Sequence, residues 1–291
     1  MSHSADYLEK RGFLYLTAVS LIWGFSFGLI KGELTGIPSE LVAFLRLAIA
    51  WMAFLPFAAR LKKAGVLIAK LISVGMLQFG LMYLLYIKAF QYLQAWELAL
   101  FTIFTPVYVS LFNDILQRKF NFYYLAAAML SVLALMILKW QRPDSDAFVT
   151  GFLLMQGSNL AFAIGQIAYK NFLTNAGHSD LSLMHWLYLG GSLLALLASF
   201  HSLGSAILYI SGKQWLVLLY LGIVASGIGF WLWNSGARNV NAGVLAVFNN
   251  LKIPLAMIIS MLFFGEKAPL LKLMIAMIIL GAALLIPRKS R

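Results

Sequence analysis

A lysine lies in the middle of LAVFNNLKIPLAMIISMLFFGE (245–266), an apolar stretch long enough to cross a bilayer. Asn249 and Asn250 precede Lys252 by about one helical turn, and Pro254 follows it by two residues. A charge near the bilayer centre costs about 2.5 to 3.5 kcal/mol on insertion scales unless it faces protein or water. Pro254 removes a backbone donor and frees polar backbone at the same depth. We therefore predict that Lys252, Asn249 and Asn250 line a central cavity, where the lysine binds an anion or carries a proton. A structural ion pair is the alternative.

Three further ionisable residues are candidates for the same cavity. Arg46 lies about eight residues into an apolar span, and its planar guanidinium suits a carboxylate; hydrogen bonding to neighbouring helices is the alternative. Glu97, near the end of another span, would offer a counter-charge for an amine or carry a proton if it faces inward, and is otherwise interfacial. His185 would be proton-linked, since histidine titrates near neutrality, unless it is a hydrogen-bonded packing residue.

Neutral polar and aromatic residues complete the predicted site. Asn159 and Gln166 are seven residues apart, so they share one face of a helix that would line the cavity. Aromatic residues deep within the spans suit an amphipathic or cationic organic solute, although packing explains them equally well. The aromatic residues predicted to line the cavity are Trp23, Phe27, Tyr83 and Trp231.

The composition identifies the class of protein that must position these residues. The 291 residues are 62% hydrophobic and 11% charged, whereas a soluble domain carries about 25% charged residues. The chain is therefore an integral membrane protein. Its net charge of +12 is expected to orient short loops and to meet lipid headgroups, so we predict no nucleic-acid partner. The sequence has no cysteine, which excludes disulfides and cysteine-ligated zinc or iron–sulfur clusters, and we expect no cofactor and no metal. No cleaved signal peptide is predicted.

Apolar runs of membrane-spanning length recur ten times, so the predicted fold is an all-α polytopic membrane protein. Short loops with Gly, Pro, Asn or charged residues separate the runs. The predicted spans are about 13–32, 38–59, 67–90, 95–116, 122–139, 149–171, 181–201, 214–236, 243–264 and 269–287.

The orientation follows from the distribution of Lys and Arg over the loops. Of the 22 in the chain, thirteen fall on the side of the N-terminus and seven on the other side, while Arg46 and Lys252 lie within spans. Positive charge is retained in the cytoplasm. Both termini are therefore predicted to be cytoplasmic.

The chain also contains an internal repeat. Residues 79–112 align without a gap on 227–260 at an offset of 148 residues, which pairs Pro106 with Pro254. Both prolines fall inside predicted spans, where each would bend or interrupt its helix. We predict that Pro106 and Pro254 act as hinges.

A second alignment, between segments nearer the start of each half of the sequence, extends the repeat. At an offset of 139, residues 22–32 align on 161–171. The repeats are then residues 1–142 and 143–291, each with five spans. Because five is odd, the two repeats must insert with opposite topology. Inverted repeats are usual in secondary transporters, where the site lies near the midplane at the repeat interface.

Three segments resemble the drug/metabolite transporter superfamily, and within it the ten-span EamA-type exporters of bacterial inner membranes. They are LIWGFSFGLIK (21–31), LVAFLRLAIA (41–50) and the region from YLGIVASGIGFWLWNSGARN to GAALL (220–285). The resemblance covers the whole chain. It implies a bacterial inner-membrane location and an origin by duplication of five spans.

Together these features predict a secondary transporter that exports small organic metabolites, such as amino acids or their derivatives, by alternating access. A channel or facilitator and a membrane-embedded enzyme are the alternatives. An enzyme is disfavoured because four scattered histidines and no cysteine form no recognisable nucleophile–base pair or metal site. The expected partners are a small-molecule substrate and the lipid bilayer, with a homodimer as an open alternative.

Overall fold

The computed structural model describes residues 2–58, 65–118, 146–173 and 179–264, together with isolated positions between 122 and 130 and between 271 and 279. Within these ranges every regular element is helical. Two segments, π1 (Met76–Leu81) and π2 (Tyr220–Ile228), are π-helical and lie inside longer helices. The α-helices are α1 (Ser2–Glu33), α2 (Ser39–Phe54), α3 (Gly65–Gly75), α4 (Met82–Ala89), α5 (Ala95–Phe101), α6 (Thr105–Gln117), α7 (Asp146–Leu173), α8 (Asp180–Ala206), α9 (Gly212–Leu219), α10 (Gly229–Asn239) and α11 (Ala242–Phe264). Three 3-10 turns occupy Leu55–Phe57, Thr102–Phe104 and Ile207–Tyr209.

The described residues contain seven helical segments long and apolar enough to cross a membrane. They confirm seven predicted spans, numbers 1–4 and 6–8 in chain order. Helix α11 occupies the ninth predicted span with a shorter apolar run, Val247–Phe263. The predicted spans 122–139 and 269–287 lie almost wholly outside the described residues, so the total of ten stays a prediction.

Spans that follow one another in the chain run in opposite directions between two ends of the bundle. At one end, Lys213 Nζ lies 2.8 Å from Glu33, which joins the start of α9 to the end of α1. At the other end, Arg238 Nη1 lies 2.7 Å from Asp180, which joins the end of α10 to the start of α8. We call these the Glu33 end and the Asp180 end. Helix α1 begins at the Asp180 end, whereas α7 runs the opposite way and finishes there.

Spans 3 and 7 cross at unusually short range because each has a glycine that lies against the backbone of the other span. Span 3 consists of α3, π1 and α4, and span 7 is α8. A Cβ atom added at Gly75 would collide with the carbonyl oxygen of Leu187, and one added at Gly190 would collide with that of Ile72. Small residues permit such close approach of membrane helices. Glycine is therefore required at both positions of this crossing.

Span 4 is interrupted at the depth of the predicted site. It consists of α5, the 3-10 turn Thr102–Phe104 and α6, with Pro106 in the first turn of α6. The N–H of Thr105 donates to the carbonyl of Thr102, which leaves the carbonyl of Phe101 without its usual helical partner. Asn159 of α7 donates to that oxygen from Nδ2 at 2.7 Å. The interruption thus brings polar groups of spans 4 and 6 together inside the bundle.

Pro254 behaves differently from its repeat partner. Helix α11 continues through Pro254 with helical residues on both sides. The backbone interruption expected there is seen at Pro106 and not at Pro254.

Candidate functional site

A buried cavity lies where spans 1, 2, 3, 4, 6, 8 and 9 meet. Its volume is about 80 Å³, smaller than the roughly 300–1,000 Å³ typical of pockets that enclose drug-sized ligands. An organic substrate would therefore fit only after side chains or helices move apart. The lining residues are Trp23, Ser26, Phe27, Arg46, Met82, Tyr83, Tyr86, Thr102, Thr105, Met155, Ser158, Asn159, Phe162, Phe230 and Lys252.

Arg46 enters the cavity from α2 and is only 2% exposed. Its Nε donates to Ser226 Oγ at 3.1 Å, and its Nη2 donates to Tyr83 Oη at 2.9 Å. The guanidinium carbon also lies 4.0 Å from the centroid of the Tyr83 ring, a cation–π contact. Nη1 has no hydrogen-bond partner among the described residues. A buried cationic donor without a partner is costly, so this nitrogen is suited to an anionic ligand.

Lys252 reaches the cavity from α11 and is 8% exposed. Its Nζ donates to Asn249 Oδ1 at 3.2 Å and lies 5.2 Å from the centroid of the Trp23 ring. An ammonium has three donors, and the neutral amide supplies an acceptor for one of them. No aspartate or glutamate belongs to the described lining of the cavity. The site therefore holds two basic side chains without a lining acid, which favours an anionic ligand and disfavours a cationic one.

Aromatic rings form much of the remaining wall. Trp23 packs against Phe230 at 5.0 Å and against Phe162 at 6.4 Å between ring centroids. Phe27 meets Tyr86 edge-on at 5.8 Å. Such a wall offers apolar surface to a ligand whose charged end lies at Arg46 or Lys252.

Hydroxyl groups supply acceptors on the same wall. Ser26 donates to the carbonyl of Ile22 at 3.0 Å, and Ser158 donates to the carbonyl of Met82 at 3.0 Å. Thr102 likewise donates to the backbone, at the carbonyl of its neighbour three residues earlier. Because these hydroxyl protons are engaged, the oxygen lone pairs are what remains for a ligand. They suit the N–H groups of an amide or urea.

The π2 segment supports two sides of the cavity. Trp23 Nε1 donates to the carbonyl of Ala225 at 2.9 Å, and Tyr188 Oη donates to the carbonyls of Ser226 (2.6 Å) and Gly227 (3.0 Å). A π-helical turn shifts the backbone hydrogen-bond ladder, and such segments often occur at functional sites. Here the side chains of α1 and α8 bond to carbonyls of the shifted turn.

Six of the predicted site residues line the cavity: Lys252, Arg46, Trp23, Phe27, Tyr83 and Asn159. Asn249 lies directly behind Lys252 and bonds to it. Asn250 and Gln166 are buried, but neither lines the cavity, and their amide atoms have no hydrogen-bond partners among the described residues.

The structure places the other predicted residues away from this cavity. Glu97 is in the first turn of α5, where its carboxylate accepts the backbone N–H of Gln94 at 2.9 Å. Trp231 lines a recess of about 390 Å³ at the Asp180 end, and its ring centroid is 6.0 Å from that of Tyr15. His185 stacks on Trp51 at 5.9 Å between centroids and is 7% exposed.

The cavity lining also contains residues that we did not predict from the sequence. The internal repeat could have indicated some of them, because it pairs positions of the two halves of the sequence. At the offset of 148, Thr102 pairs with Asn250, and Met82 pairs with Phe230. The lining residues of this kind are Ser26, Met82, Tyr86, Thr102, Thr105, Met155, Ser158, Phe162 and Phe230. Phe162 pairs with Trp23 at the offset of 139, and both rings line the cavity.

Polar contacts join described helices at both ends of the bundle. At the Asp180 end, the carboxylate of Asp180 accepts from Tyr169 (2.7 Å), Arg238 (2.7 Å) and Ser235 (3.2 Å), which ties α8 to α7 and α10. At the Glu33 end, Lys31 Nζ donates to backbone carbonyls of residues 90 and 93, at 2.9 and 3.0 Å. The described part of the chain contains no group of three His, Asp or Glu side chains arranged to hold a metal ion.

A polytopic helical bundle with a cavity lined by basic and aromatic residues between its helices is typical of a membrane carrier. The model of the EamA-like transporter family matches residues 10–140 and again residues 149–287. The chain belongs to this family and is a small-molecule transporter of the membrane rather than an enzyme.

The chain is also similar to individual named proteins. The biotin transporter of Salmonella typhimurium is 36% identical over 87% of this chain and 85% of its own length. The probable biotin transporter of Pseudomonas aeruginosa is 36% identical over 95% of this chain and 98% of its own. A probable amino-acid metabolite efflux pump of Salmonella typhimurium is 30% identical over 78% of both chains. A solved crystal structure shares the fold, with a TM-score of 0.75 and 19% identity over 98% of this chain and 99% of the other.

Proposed function

We propose that this protein is a secondary transporter of biotin or a closely similar organic carboxylate, which it carries through the bilayer by alternating access around the central cavity. The observation that carries the proposal is the buried Nη1 of Arg46, which has no described hydrogen-bond partner, in an aromatic cavity that Lys252 also lines and that has no described acidic lining.

Both ends of the biotin molecule match the chemistry of the residues that line the cavity. Its single carboxylate pairs with Arg46 and Lys252, which offset the loss of hydration of that charge. Its fused rings are apolar and suit the surface of Trp23 and its neighbours. Its ureido N–H groups meet the free lone pairs of Ser158 and Thr102, whose own protons are engaged by backbone carbonyls.

The names of the relatives support biotin over amino acids. Proteins named for biotin are 36% identical to this chain, whereas the protein named for amino-acid metabolite efflux is 30% identical over a smaller share. An amino acid would also bring an ammonium group into the cavity. Glu97, the counter-charge predicted for an amine, does not belong to the described lining. We therefore favour an anionic solute without an amine.

We further propose that residues 1–142 and 143–291 are two five-helix halves with opposite topology. The family model matches once in each half. Segment π1 shifted by 148 residues falls on 224–229, which overlaps π2. The packing of α1 against α10 and α11 has a counterpart in the packing of α7 against α4 and α6. These features support rocking of one half against the other, with Pro106 and Pro254 as the proposed hinges.

In the membrane, we place the Asp180 end in the cytoplasm and the Glu33 end outside. Arg11, Lys170 and Arg238 lie toward the Asp180 end, and the excess of positive charge there supports this orientation. The bacterial relatives support an inner-membrane location. In this arrangement both termini are cytoplasmic.

The proposal is tested by counterflow in sealed proteoliposomes that contain the purified protein. Vesicles preloaded with unlabelled biotin should transiently accumulate labelled biotin above its external concentration, because a carrier exchanges one bound solute for another. A channel gives no such overshoot, and an enzyme releases a new product. Absence of an overshoot at saturating biotin would overturn the assignment.

A further inference from the structure

We infer that Ser226 and Tyr83 are positioning residues that aim a single nitrogen of Arg46 at the substrate carboxylate, and so set the selectivity of the cavity for carboxylates over neutral analogues. This inference rests on the proposed function and adds to it the residues that determine specificity.

The three side chains form a closed set of hydrogen bonds. Arg46 Nε bonds to Ser226 Oγ at 3.1 Å, Arg46 Nη2 bonds to Tyr83 Oη at 2.9 Å, and the two hydroxyls lie 3.0 Å apart. The guanidinium also lies over the Tyr83 ring. Two of its three nitrogens are thus fixed. Nη1 is buried and has no hydrogen-bond partner among the described residues, so it is the nitrogen that a ligand would meet once the cavity widens.

Ser226 acts through Arg46 because it does not belong to the described cavity lining and is completely buried. Its position is fixed in turn by the π2 segment. The hydroxyl of Tyr188 donates to the carbonyls of Ser226 and Gly227, which holds this part of the turn against α8. Guanidinium groups are planar, so fixing Nε and Nη2 also fixes the direction of Nη1.

The fixed orientation has a chemical consequence for recognition. One cationic donor held in place gives a short, charge-assisted bond to a carboxylate oxygen and a weaker bond to an amide oxygen. A guanidinium released from Ser226 or Tyr83 would have to lose rotamer freedom when substrate binds. Loss of either hydroxyl should therefore weaken binding of the carboxylate in particular.

The test compares biotin with biotinamide, its neutral analogue, in Ser226→Ala and Tyr83→Phe variants. Each variant removes one hydroxyl from the set, and Tyr83→Phe retains the ring beneath Arg46. We expect the KM for biotin transport to rise about tenfold in each variant, the effect of one bond to a charged group. The inhibition constant of biotinamide should stay within about twofold of wild type, since the neutral amide gains less from the oriented cation.

Ser199→Ala is the matched control, because Ser199 is equally buried but bonds only to the backbone of its own helix, at Leu196. It should leave both constants unchanged. The amount of each variant in the membrane and its melting temperature are measured alongside. If Ser226→Ala fails to insert, Tyr83→Phe carries the test.

The outcomes separate this inference from the proposed function. If the wild-type protein transports biotin but the variants keep the wild-type KM, the proposed function stands and the positioning role is overturned. An equal loss of affinity for biotin and biotinamide would also overturn it, since that indicates general damage to the cavity. Wild-type protein that transports no biotin would overturn the proposed substrate and the inference with it.

Discussion

At the scale of single residues, the central cavity is defined by two cations that come from different halves of the sequence. Arg46 belongs to α2 and Lys252 to α11, and neither shares the cavity with a described acid. Burying either charge without compensation is expensive in a membrane. Their cost is offset by hydroxyl, amide and aromatic contacts inside the protein and, in our proposal, by the substrate.

Lys252→Ala should abolish most transport while leaving insertion intact. Removing a buried partner of the substrate charge commonly costs at least 2 kcal/mol, so we expect kcat/KM for biotin to fall about thirtyfold or more. Insertion should be retained because alanine is easier to place in the bilayer than lysine. Uptake per molecule of transporter is measured after the membrane amount is quantified.

Lys70→Ala is the control for this substitution, since its side chain is exposed and belongs neither to the described cavity lining nor to the Asp180 and Glu33 contacts at the ends of the bundle. It should transport biotin at nearly the wild-type rate. If a well-inserted Lys252→Ala protein retained wild-type kinetics, Lys252 would have no role in the transport of biotin.

At the scale of elements, the crossing of spans 3 and 7 depends on two glycines that let the helices approach closely. Gly75 and Gly190 each place a Cα hydrogen where a methyl group would meet a carbonyl oxygen of the other span. These contacts lie on the same span 3 that contributes Tyr83 to the cavity. The crossing therefore holds one wall of the cavity in register with α8.

Gly190→Ala should destabilise the protein by about 1–3 kcal/mol, because the added methyl group has no room beside Ile72. Gly204→Ala is a matched control in the same helix, where an added Cβ meets nothing within 4 Å. The control should be neutral or slightly stabilising, since alanine favours the helix. Thermal unfolding of the two purified variants checks the difference, and equal melting temperatures would contradict it.

The sequence was most informative about the positions of the spans and less so about their irregularities. The length of the apolar segment identified span 3, because crossing the bilayer requires about 20 apolar residues. That length does not indicate where a π-helical turn will form. The two prolines looked equivalent, yet Pro106 follows a 3-10 turn and Pro254 lies in a continuous helix. Neighbouring helices decide which proline interrupts its span, and a single sequence does not contain those contacts.

The same limit applies within the site. Lys252 and Arg46 were identified because charge in a span is costly. Trp231 was chosen as an aromatic residue facing the cavity, but the structure puts its neighbour Phe230 there. One residue corresponds to about 100° around a helix, and the aromatic pattern of span 8 does not determine its rotation to that accuracy.

At the scale of the whole molecule, polar contacts hold described helices together at both ends of the bundle. The Asp180 end is held by the carboxylate of Asp180, which accepts from three other side chains. The Glu33 end is held by Lys31 and by the Lys213–Glu33 pair. Alternating access requires these two sets of contacts to open in turn.

Asp180→Asn should shift the population toward states open at the Asp180 end, because it removes the ion pair with Arg238 and weakens two further bonds. The chain has no cysteine, so Ser26→Cys provides a single reporter in the cavity lining. We expect a membrane-impermeant maleimide applied from that side to label the reporter about tenfold faster in Asp180→Asn.

Asp146→Asn serves as the matched control, since Asp146 is exposed in the first turn of α7, at the opposite end of the bundle. It should leave the labelling rate unchanged. Equal labelling of Asp180→Asn and the parent would mean that the Asp180 contacts do not control access from this side.

In the proposed arrangement of two halves, span 4 is interrupted by a 3-10 turn whereas its repeat partner α11 is a continuous helix, so the halves would differ in stiffness. A helix that changes to a 3-10 turn at Thr102–Phe104 should bend at lower cost than α11, which stays helical on both sides of Pro254 although proline donates no backbone hydrogen bond. The two reorientation steps of the transport cycle should therefore have different barriers. A carrier with unequal barriers is kinetically asymmetric. At equal solute gradients it should show different KM values for inward and outward transport, without any change in the residues that touch the solute.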